Sequence, residues 1–455
     1  MSILIKNATL INEGVVTSNA CVLVDSRGII SKITDNTDNL NADQVIDATG
    51  HYLIPGVIDA HVHFREPGLT HKGDIYSESR AAVSGGITSY MDMPNTSPQV
   101  LTQQTLEDKY KLSSQKSSAN YSFFMGVSLD NIDEVLKTDP NKVCGAKIFL
   151  CNSTGDMKAN SEKMLQDMFS QCNFLIATHC EDEDIVQENA RKVKQEHGNA
   201  VPWDLHVDIR SERACVESTK MAVELAKKHN TRLHVVHLTT QGEVDLFRQL
   251  PNVPLEEKRI TCETTPHHLW FDRSNYATLG AKLKCNPSVK EANHKEALLS
   301  GLKEGLIDMI ATDHAPHTLK EKQDPSYWTC PSGLPTIQFS LNVLLEMHLR
   351  GEIELTQIVD KMCHAPAKVF QVDRRGFVRE GYWADLTLFK LSEGGDENVT
   401  EVNQNTIRGK CGWSPFEGTV FRSKVTHTIV SGKLAYENGQ INDKVVGERI
   451  LFNRK

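Results

Sequence analysis

The sequence has no uninterrupted apolar segment approaching about 18 residues, so no membrane-spanning helix is expected. Its 11 cysteines form no Cys-X-X-Cys pair and have no regular spacing, which argues against both a disulfide framework and a thiolate zinc site. Neither Gly-X-Gly-X-X-Gly nor Gly-X4-Gly-Lys-Ser/Thr occurs, so the usual signature of a nucleotide-binding open sheet is missing. These absences argue against a membrane-spanning protein, a disulfide-rich protein and a doubly wound nucleotide-binding sheet.

The sequence also has fewer basic than acidic residues, with 50 Lys and Arg, 59 Asp and Glu, and a net charge of −9. Nucleic-acid-binding proteins usually present a basic face, so nucleic acid is not expected as a partner. The first residues, MSILIKNATLINEG, are interrupted by Lys6, Asn7 and Asn12 and lack the basic-then-apolar arrangement of a secretion signal. A cytoplasmic location is therefore expected.

Short strand-like segments at both ends enclose a long region of a different pattern. From about residue 54, apolar segments alternate with helical patterns such as 217–229 and 291–305. The predicted strands of this region are 57–63, 87–93, 121–127, 142–150, 173–179, 232–238, 259–265 and 307–313.

Eight strand–helix units predict an α/β fold of the (β/α)8 TIM-barrel type. The short strands before and after it predict a small composite β-sandwich domain built from both termini. The expected limits are 1–53 and 375–455 for the two parts of the β domain and 54–374 for the barrel. The alternative, a doubly wound open sheet, is disfavoured because it would need a glycine-rich phosphate turn.

The ends of the predicted barrel strands carry candidate metal ligands. Active sites of such barrels lie at the C-terminal ends of the strands, so these positions are searched first. They hold two histidines from strand 1 and one residue each from strands 4, 5, 6 and 8: His61, His63, Lys147, His179, His237 and Asp313. Four imidazoles, one carboxylate and one bridging group fit a two-metal site, with zinc favoured.

Taken singly, several of these residues have an ordinary structural explanation. Lys147 lies in a strand without other charges, where it either snorkels to water or reacts with carbon dioxide to give a carbamate that bridges two cations. His179 or His237 alone is more often a histidine at the edge of a core. His234, three residues before His237, is expected to face the opposite side and to be structural.

Several motifs together resemble one known family. They are residues 56–68 (GVIDAHVHFREPG), 81–88 (AAVSGGIT), 93–96 (MPNT), 262–269 (CETTPHHL), 284–287 (KCNP), 313–318 (DHAPHT), 384–386 (ADL) and 413–418 (WSPFEG). The sequence resembles the amidohydrolase superfamily and, within it, the dihydroorotases, from about residue 5 to residue 445. The resemblance implies two Zn²⁺ per chain, bridged by a carboxylated lysine.

The resemblance assigns the ligands position by position. His61, His63 and Asp313 match the ligands of the more buried α metal. The β-metal ligands and the bridging lysine of the family are matched by His179, His237 and Lys147, respectively.

The resemblance also assigns substrate contacts. Arg65, Asn95 and His317 match residues that hold a substrate carboxylate, and Asn286 matches another substrate contact. Dihydroorotate has a free carboxylate beside a cyclic amide, which suits bidentate recognition by arginine. Related allantoinases and dihydropyrimidinases act on uncharged rings and usually lack this arginine. Arg65 continues the strand alternation of the preceding histidines; the alternative is that it pairs with Glu66 and only orders the loop.

The implied function is that of a dihydroorotase, which interconverts dihydroorotate and N-carbamoyl-L-aspartate in de novo pyrimidine biosynthesis. A metal-bridged hydroxide would attack the ring, with Asp313 as the proton shuttle. Allantoinase or another cyclic amidohydrolase is the first alternative, and a non-catalytic scaffold of the same fold is the second. A homodimer or homotetramer is expected, although the sequence does not choose between them.

Three features depart from the family. Residues 286–290 (NPSVK) carry Lys290 where the family often has arginine, and Gly73 follows Lys72 in place of the usual acid. Loop 320–335 is not matched residue by residue.

Overall fold

The computed structural model describes residues 1–36, 40–151, 161–392, 394–395 and 397–454. In chain order, its strands are β1 (Ile3–Asn12), β2 (Val15–Val24), β3 (Ile30–Thr34), β4 (Gln44–Asp47), β5 (Tyr52–Pro55), β6 (Val57–Val62), β7 (Ile87–Asp92), β8 (Asn120–Gly126), β9 (Gly145–Phe149), β10 (Ile176–His179), β11 (Leu233–Val235), β12 (Ile260–Thr264), β13 (Met309–Ile310), β14 (Leu386–Leu391), β15 (Thr400–Glu401), β16 (Val420–Phe421), β17 (Ser423–Val430), β18 (Lys433–Glu437) and β19 (Gln440–Ile441).

The α-helices, in the same order, are α1 (Ile75–Ser84), α2 (Gln103–Ser113), α3 (Ile132–Leu136), α4 (Glu162–Gln171), α5 (Glu183–His197), α6 (His206–Ile209), α7 (Glu212–His229), α8 (Gln241–Arg248), α9 (Pro266–Trp270), α10 (Tyr276–Leu279), α11 (Ala292–Lys303), α12 (Leu319–Lys322), α13 (Ser340–Leu349), α14 (Leu355–Val359) and α15 (Ala365–Phe370). Local signals set their beginnings; for example, Asp74 caps α1 by accepting a hydrogen bond from the Ser77 backbone N–H. None of the described helices combines the length and the apolarity needed to cross a membrane.

Strands β6 to β13 form the barrel. Each strand pairs in parallel with the next along the chain, from β6 with β7 to β12 with β13. A parallel bridge between Val62 and His314 joins the first strand to the segment after the last. The strands are buried on both faces, as parallel strands covered by helices are. The predicted (β/α)8 barrel is confirmed.

All eight predicted barrel strands are present, but two are much shorter than predicted. The segment 232–238 contributes only β11, and 307–313 contributes only β13. In both segments the chain then reaches a residue with positive φ, His237 at 40° and Asp313 at 47°. A residue whose backbone is in this left-handed region cannot continue a β-strand. The hydrogen-bonded pairing of β11 and β13 with their neighbours therefore ends before the rim of the barrel.

The strands of both termini form a second, nine-stranded sheet. Its two parts join where β14 pairs antiparallel with β5. One face of this sheet buries its own apolar core, which includes Ile5, Val22, Leu53, Leu386 and Ile429. The predicted composite β domain is therefore present, while its exact residue limits stay a prediction.

The last described residues return to the barrel. The Arg454 guanidinium donates hydrogen bonds to the carbonyls of Pro140, Val143, Cys144 and Phe370. These carbonyls lie just before β9 and at the end of α15, so the chain end fastens the barrel at the side opposite the C-terminal rim.

Candidate metal centre and substrate pocket

A cavity opens at the C-terminal ends of the barrel strands. Eight of the ten predicted site residues line it, together with four others: His61, His63, Arg65, Asn95, Phe149, His179, His237, Asn286, Asp313, Ala315, Ser332 and Gly333. The other two predicted residues, Lys147 and His317, border this set. The structure thus brings together side chains that are up to 256 residues apart, from His61 to His317.

Asp313 lies between the two histidines of the first strand. Its Oδ1 atom is 3.2 Å from Nε2 of His61 and 3.1 Å from Nε2 of His63. The ligand atoms of all three residues lie within 4.8 Å of one another. Burial raises the pKa of Asp313, but the two imidazoles outweigh it and hold that pKa well below its usual range. The carboxylate is therefore ionised and able to bind a cation.

His179 and His237 form the second pair. Nδ1 of His179 lies 2.8 Å from Nε2 of His237, so two ring nitrogens from neighbouring strands point at one spot. Burial holds the pKa of His237 well below its ordinary value. An imidazole that stays neutral keeps the lone pair that a metal ion requires.

Lys147 is buried completely, at 0% exposure. Among the described residues its Nζ atom has no hydrogen-bond partner, and it lies 4.9 Å from the centroid of the Phe149 ring. Burial lowers the pKa of this amine to about 8. The snorkelling interpretation is therefore wrong for this lysine, and the unpaired amine fits a group that is modified and faces cations.

Three of the four histidines are oriented by a partner on the outer ring nitrogen. Nδ1 of His61 lies 2.7 Å from Oε1 of Glu263, and Nδ1 of His63 lies 2.8 Å from Oδ1 of Asn95. Nε2 of His179 lies 2.9 Å from Oε2 of Glu181. Metal-binding histidines characteristically donate the outer N–H in this way, which fixes the tautomer and turns the other nitrogen to the metal.

Two of these partners were not predicted as site residues. In the sequence, Glu263 stands out only as part of the 262–269 motif, and Glu181 lies two residues after His179 without a motif of its own.

The prediction that His234 faces the side opposite His237 is wrong, because its Nε2 lies 3.0 Å from Oε2 of Glu263, the carboxylate that also bonds His61. The positive φ of His237 breaks the strand alternation on which that prediction depended. The prediction that His234 is structural is not contradicted, since this contact helps to hold Glu263.

Arg65 is a buried cation in the wall of the pocket. It is only 2% exposed, its Nε donates to the Pro316 carbonyl at 3.0 Å, and one terminal nitrogen lies 3.2 Å from Nε2 of His317. Burial lowers the pKa of Arg65 to about 10, so it is still a cation at neutral pH. No carboxylate of the described residues forms an ion pair with it.

The alternative role of Arg65 as an ion-pair partner of Glu66 is wrong. Glu66 instead accepts hydrogen bonds from Lys116 at 2.6 Å and from the Ile75 backbone at 2.9 Å. The strand alternation expected to direct Arg65 does not operate either, because β6 ends at Val62 and Arg65 has a φ of 70°. A turn, not a strand, points the guanidinium into the cavity.

His317 completes this side of the pocket. Lys72 donates to its Nδ1 at 3.1 Å, so Nε2 carries the proton and donates to the Ser332 carbonyl at 3.1 Å. Asn286 lines the cavity with an Oδ1 atom that has no hydrogen-bond partner among the described residues. Lys290 stays outside the cavity, since Ser288 holds its Nζ at 2.8 Å through the hydroxyl.

A second group of metal-ligand types adjoins the pocket and was not predicted. The ligand atoms of His267, His268 and Cys285 lie within 4.8 Å of one another. Their polar atoms already have protein partners: both histidines contact the Thr265 hydroxyl, and Cys285 donates to the Pro287 carbonyl at 3.3 Å. Packing accounts for this group without a metal.

Comparisons with known proteins show which family the chain belongs to. The model of the "Amidohydrolase family" matches residues 52–435. The "Dihydroorotase" of Methanosphaera stadtmanae is 30% identical over 445 residues, which is 97% of this chain and 97% of the relative. The "Dihydroorotase" of Methanosarcina acetivorans is 32% identical over 433 residues, or 93% of this chain and 90% of the relative.

Among solved structures, the fold is similar to "L-Hydantoinase (Dihydropyrimidinase) from Arthrobacter aurescens", with a TM-score of 0.91 and 27% identity over 99% of both chains. The family match covers the whole barrel and, in the composite sheet, strands β5, β14 and β17. The chain belongs to the amidohydrolase family and is a hydrolase that acts on cyclic amides.

Proposed function

We propose that this enzyme is a dihydroorotase, which reversibly hydrolyses dihydroorotate to N-carbamoyl-L-aspartate in de novo pyrimidine biosynthesis. The observation that carries the proposal is Arg65, a buried cation at the cavity wall without a carboxylate partner among the described residues. Leaving such a charge unpaired is costly, and an anionic substrate removes that cost on binding. Relatives named dihydroorotase at 30% and 32% identity support the same substrate.

The proposed metal ligands belong to two clusters of side chains, one around Asp313 and one formed by His179 and His237. His61, His63 and Asp313 would hold one cation, His179 and His237 the other, and carboxylated Lys147 would bridge them, with Zn²⁺ favoured. Such cations would act as Lewis acids and lower the pKa of water toward neutrality. The inward-facing ring nitrogens and the unpaired Nζ of Lys147 support this assignment.

Asp313 is the proposed proton carrier. Its carboxylate lies at the rim, next to both histidines of the first strand, where it can accept a proton from the attacking water. It would then give this proton to the ring nitrogen as the C–N bond breaks. In ring closure the same group takes the proton from the ureido nitrogen and returns it to the departing water.

Arg65, Asn95 and His317 form the proposed carboxylate cradle. Arg65 offers a planar guanidinium that matches the two oxygens of a carboxylate. His63 fixes the orientation of the Asn95 amide, because Oδ1 of Asn95 faces its Nδ1. Asn286 is the further proposed contact, and its unpartnered Oδ1 suits an N–H donor such as that of the ring amide.

A hydantoinase is the second candidate, because the solved structure with a TM-score of 0.91 carries that name. Hydantoin and dihydrouracil have no carboxylate, so they would leave Arg65 unpaired. A homodimer or homotetramer and a cytoplasmic location belong to the same proposal as the dihydroorotase activity.

The test is a side-by-side assay of zinc-loaded protein with dihydroorotate, allantoin, hydantoin and dihydrouracil. We expect the highest kcat/KM for dihydroorotate, together with ring closure of N-carbamoyl-L-aspartate. A higher kcat/KM for any uncharged ring would overturn the proposal.

A further inference from the structure

One wall of the cavity is a loop that two buried lysines hold in place. The loop comprises residues 327–333, and its Ser332 and Gly333 line the cavity. Lys322, at the end of α12, is 2% exposed, and its Nζ donates to the carbonyls of Lys284 at 2.9 Å and Pro331 at 3.0 Å. The Nζ atom of Lys322 therefore ties the wall to the segment that leads into Asn286.

Lys284 makes the reciprocal attachment. It is 6% exposed, and its Nζ donates to the carbonyls of Tyr327 at 2.7 Å and Cys330 at 2.6 Å. The same Nζ lies 4.2 Å from the centroid of the Tyr327 ring, a cation–π distance. Its backbone carbonyl also accepts from the Gly333 N–H at 3.0 Å.

No described carboxylate forms an ion pair with either lysine, although charged side chains are rarely buried without one. Three loop carbonyls, those of Tyr327, Cys330 and Pro331, and the carbonyl of Lys284 accept their hydrogen bonds instead. Buried carbonyls need hydrogen-bond donors, and in this loop the two Nζ atoms supply donors that a neighbouring strand would supply in a sheet.

The wall has little room to move against the carboxylate cradle. A Cβ atom on Gly333 would lie 2.5 Å from the Ala315 carbonyl oxygen and 2.9 Å from Cδ2 of His317. His317 also donates to the Ser332 carbonyl at 3.1 Å. A shift of the loop would therefore displace His317 or open a gap beside it.

We propose that Lys284 and Lys322 are positioning residues that hold the 327–333 wall against His317 and Asn286 and thereby set the affinity for substrate. This inference rests on the proposed function only for the identity of the substrate. Neither lysine lies in the cavity lining, so they act through the wall and not on the reacting atoms.

The test compares Lys322→Met and Lys284→Met with Lys320→Met, an exposed lysine of the same helix. We expect both buried variants to raise KM for dihydroorotate about tenfold or more, with kcat within about threefold of the parent and unchanged zinc content. Chymotrypsin should cleave both variants faster than the parent at Tyr327 and Trp328, because loop 327–333 has then lost hydrogen bonds that hold it in place. Lys320→Met should match the parent in every measurement.

Unchanged KM together with unchanged cleavage in both variants would overturn the inference, as would loss of kcat at constant KM. If either methionine variant does not fold, the glutamine variants keep one amide donor group and should show the same changes at reduced size. If the parent does not turn over dihydroorotate, the proposed function fails. The rates of chymotrypsin cleavage still test whether Lys284 and Lys322 hold the loop 327–333 in place.

Discussion

Glu181 orients His179, because its Oε2 lies 2.9 Å from Nε2 of that imidazole and leaves Nδ1 to face His237. Arg210 donates to the same carboxylate oxygen, so the glutamate is itself held in place. Although burial raises the pKa of Glu181, the Arg210 charge and the His179 hydrogen bond outweigh it and bring that pKa to about 2. The carboxylate thus stays ionised and fixes one ring orientation.

The first prediction follows from that pair. Glu181→Gln should lower the affinity of the His179–His237 site for zinc by about 10- to 100-fold, since the oriented N–H···O⁻ contact is lost. Competition with a chelator measures the change directly, and Glu188→Gln, an exposed residue of α5, is the matched control. Equal zinc affinity in the two variants would contradict the assignment.

Lys147→Ala should remove the proposed bridge. We expect loss of bound zinc and of turnover, with partial rescue of both by short carboxylates that replace the carbamate. Zinc content from elemental analysis and turnover of dihydroorotate are the two measurements. Full zinc content with normal turnover would show that this buried amine bridges nothing.

Asp313→Asn should slow both directions of the reaction, because the amide cannot accept and return the proton. We expect a loss of at least about 100-fold in hydrolysis and in ring closure, the lower end of what general acid–base catalysis contributes. Rates of both directions near those of the parent would refute the proton-carrier role.

Arg65→Met tests the choice of substrate. Leaving the substrate carboxylate partly unpaired should cost about 2–4 kcal/mol, or roughly 30- to 1000-fold in kcat/KM for dihydroorotate. Zinc content should not change, since the guanidinium is not a proposed ligand. Hydantoin serves as the uncharged control substrate; an equal loss for both rings would mean that Arg65 only orders the loop.

The lowered pKa of Lys322 predicts that the free energy of unfolding depends on pH. Burial lowers its pKa to about 7 from an ordinary value of 10.5, so between these values the unfolded chain binds a proton that the folded chain does not. Raising the pH through this window should therefore stabilise the parent relative to Lys322→Met, by up to about 1.4 kcal/mol per pH unit. Urea unfolding at pH 7, 8, 9 and 10 measures the difference. Parallel curves would contradict the lowered pKa of Lys322 in the folded chain.

The sequence by itself determined the barrel and the composition of its rim. Alternation of apolar segments with helical patterns is a local property, and the rule that active sites lie at C-terminal strand ends turned six strand-end residues into one predicted cluster. His61, His63 and Asp313 meet at hydrogen-bond distances although 252 residues separate the first from the last. The motif resemblance added Arg65, Asn95, Asn286 and His317 as substrate contacts.

The tertiary structure alone decided how these side chains are held. Strand alternation failed for His234 and for Arg65, because positive φ values at His237 and Arg65 redirect the chain at the rim. Glu181 and Lys322 act through partners such as Arg210 and Lys284, which lie 29 and 38 positions away. No local pattern encodes such contacts, since they depend on which loops the closed barrel brings together at one end.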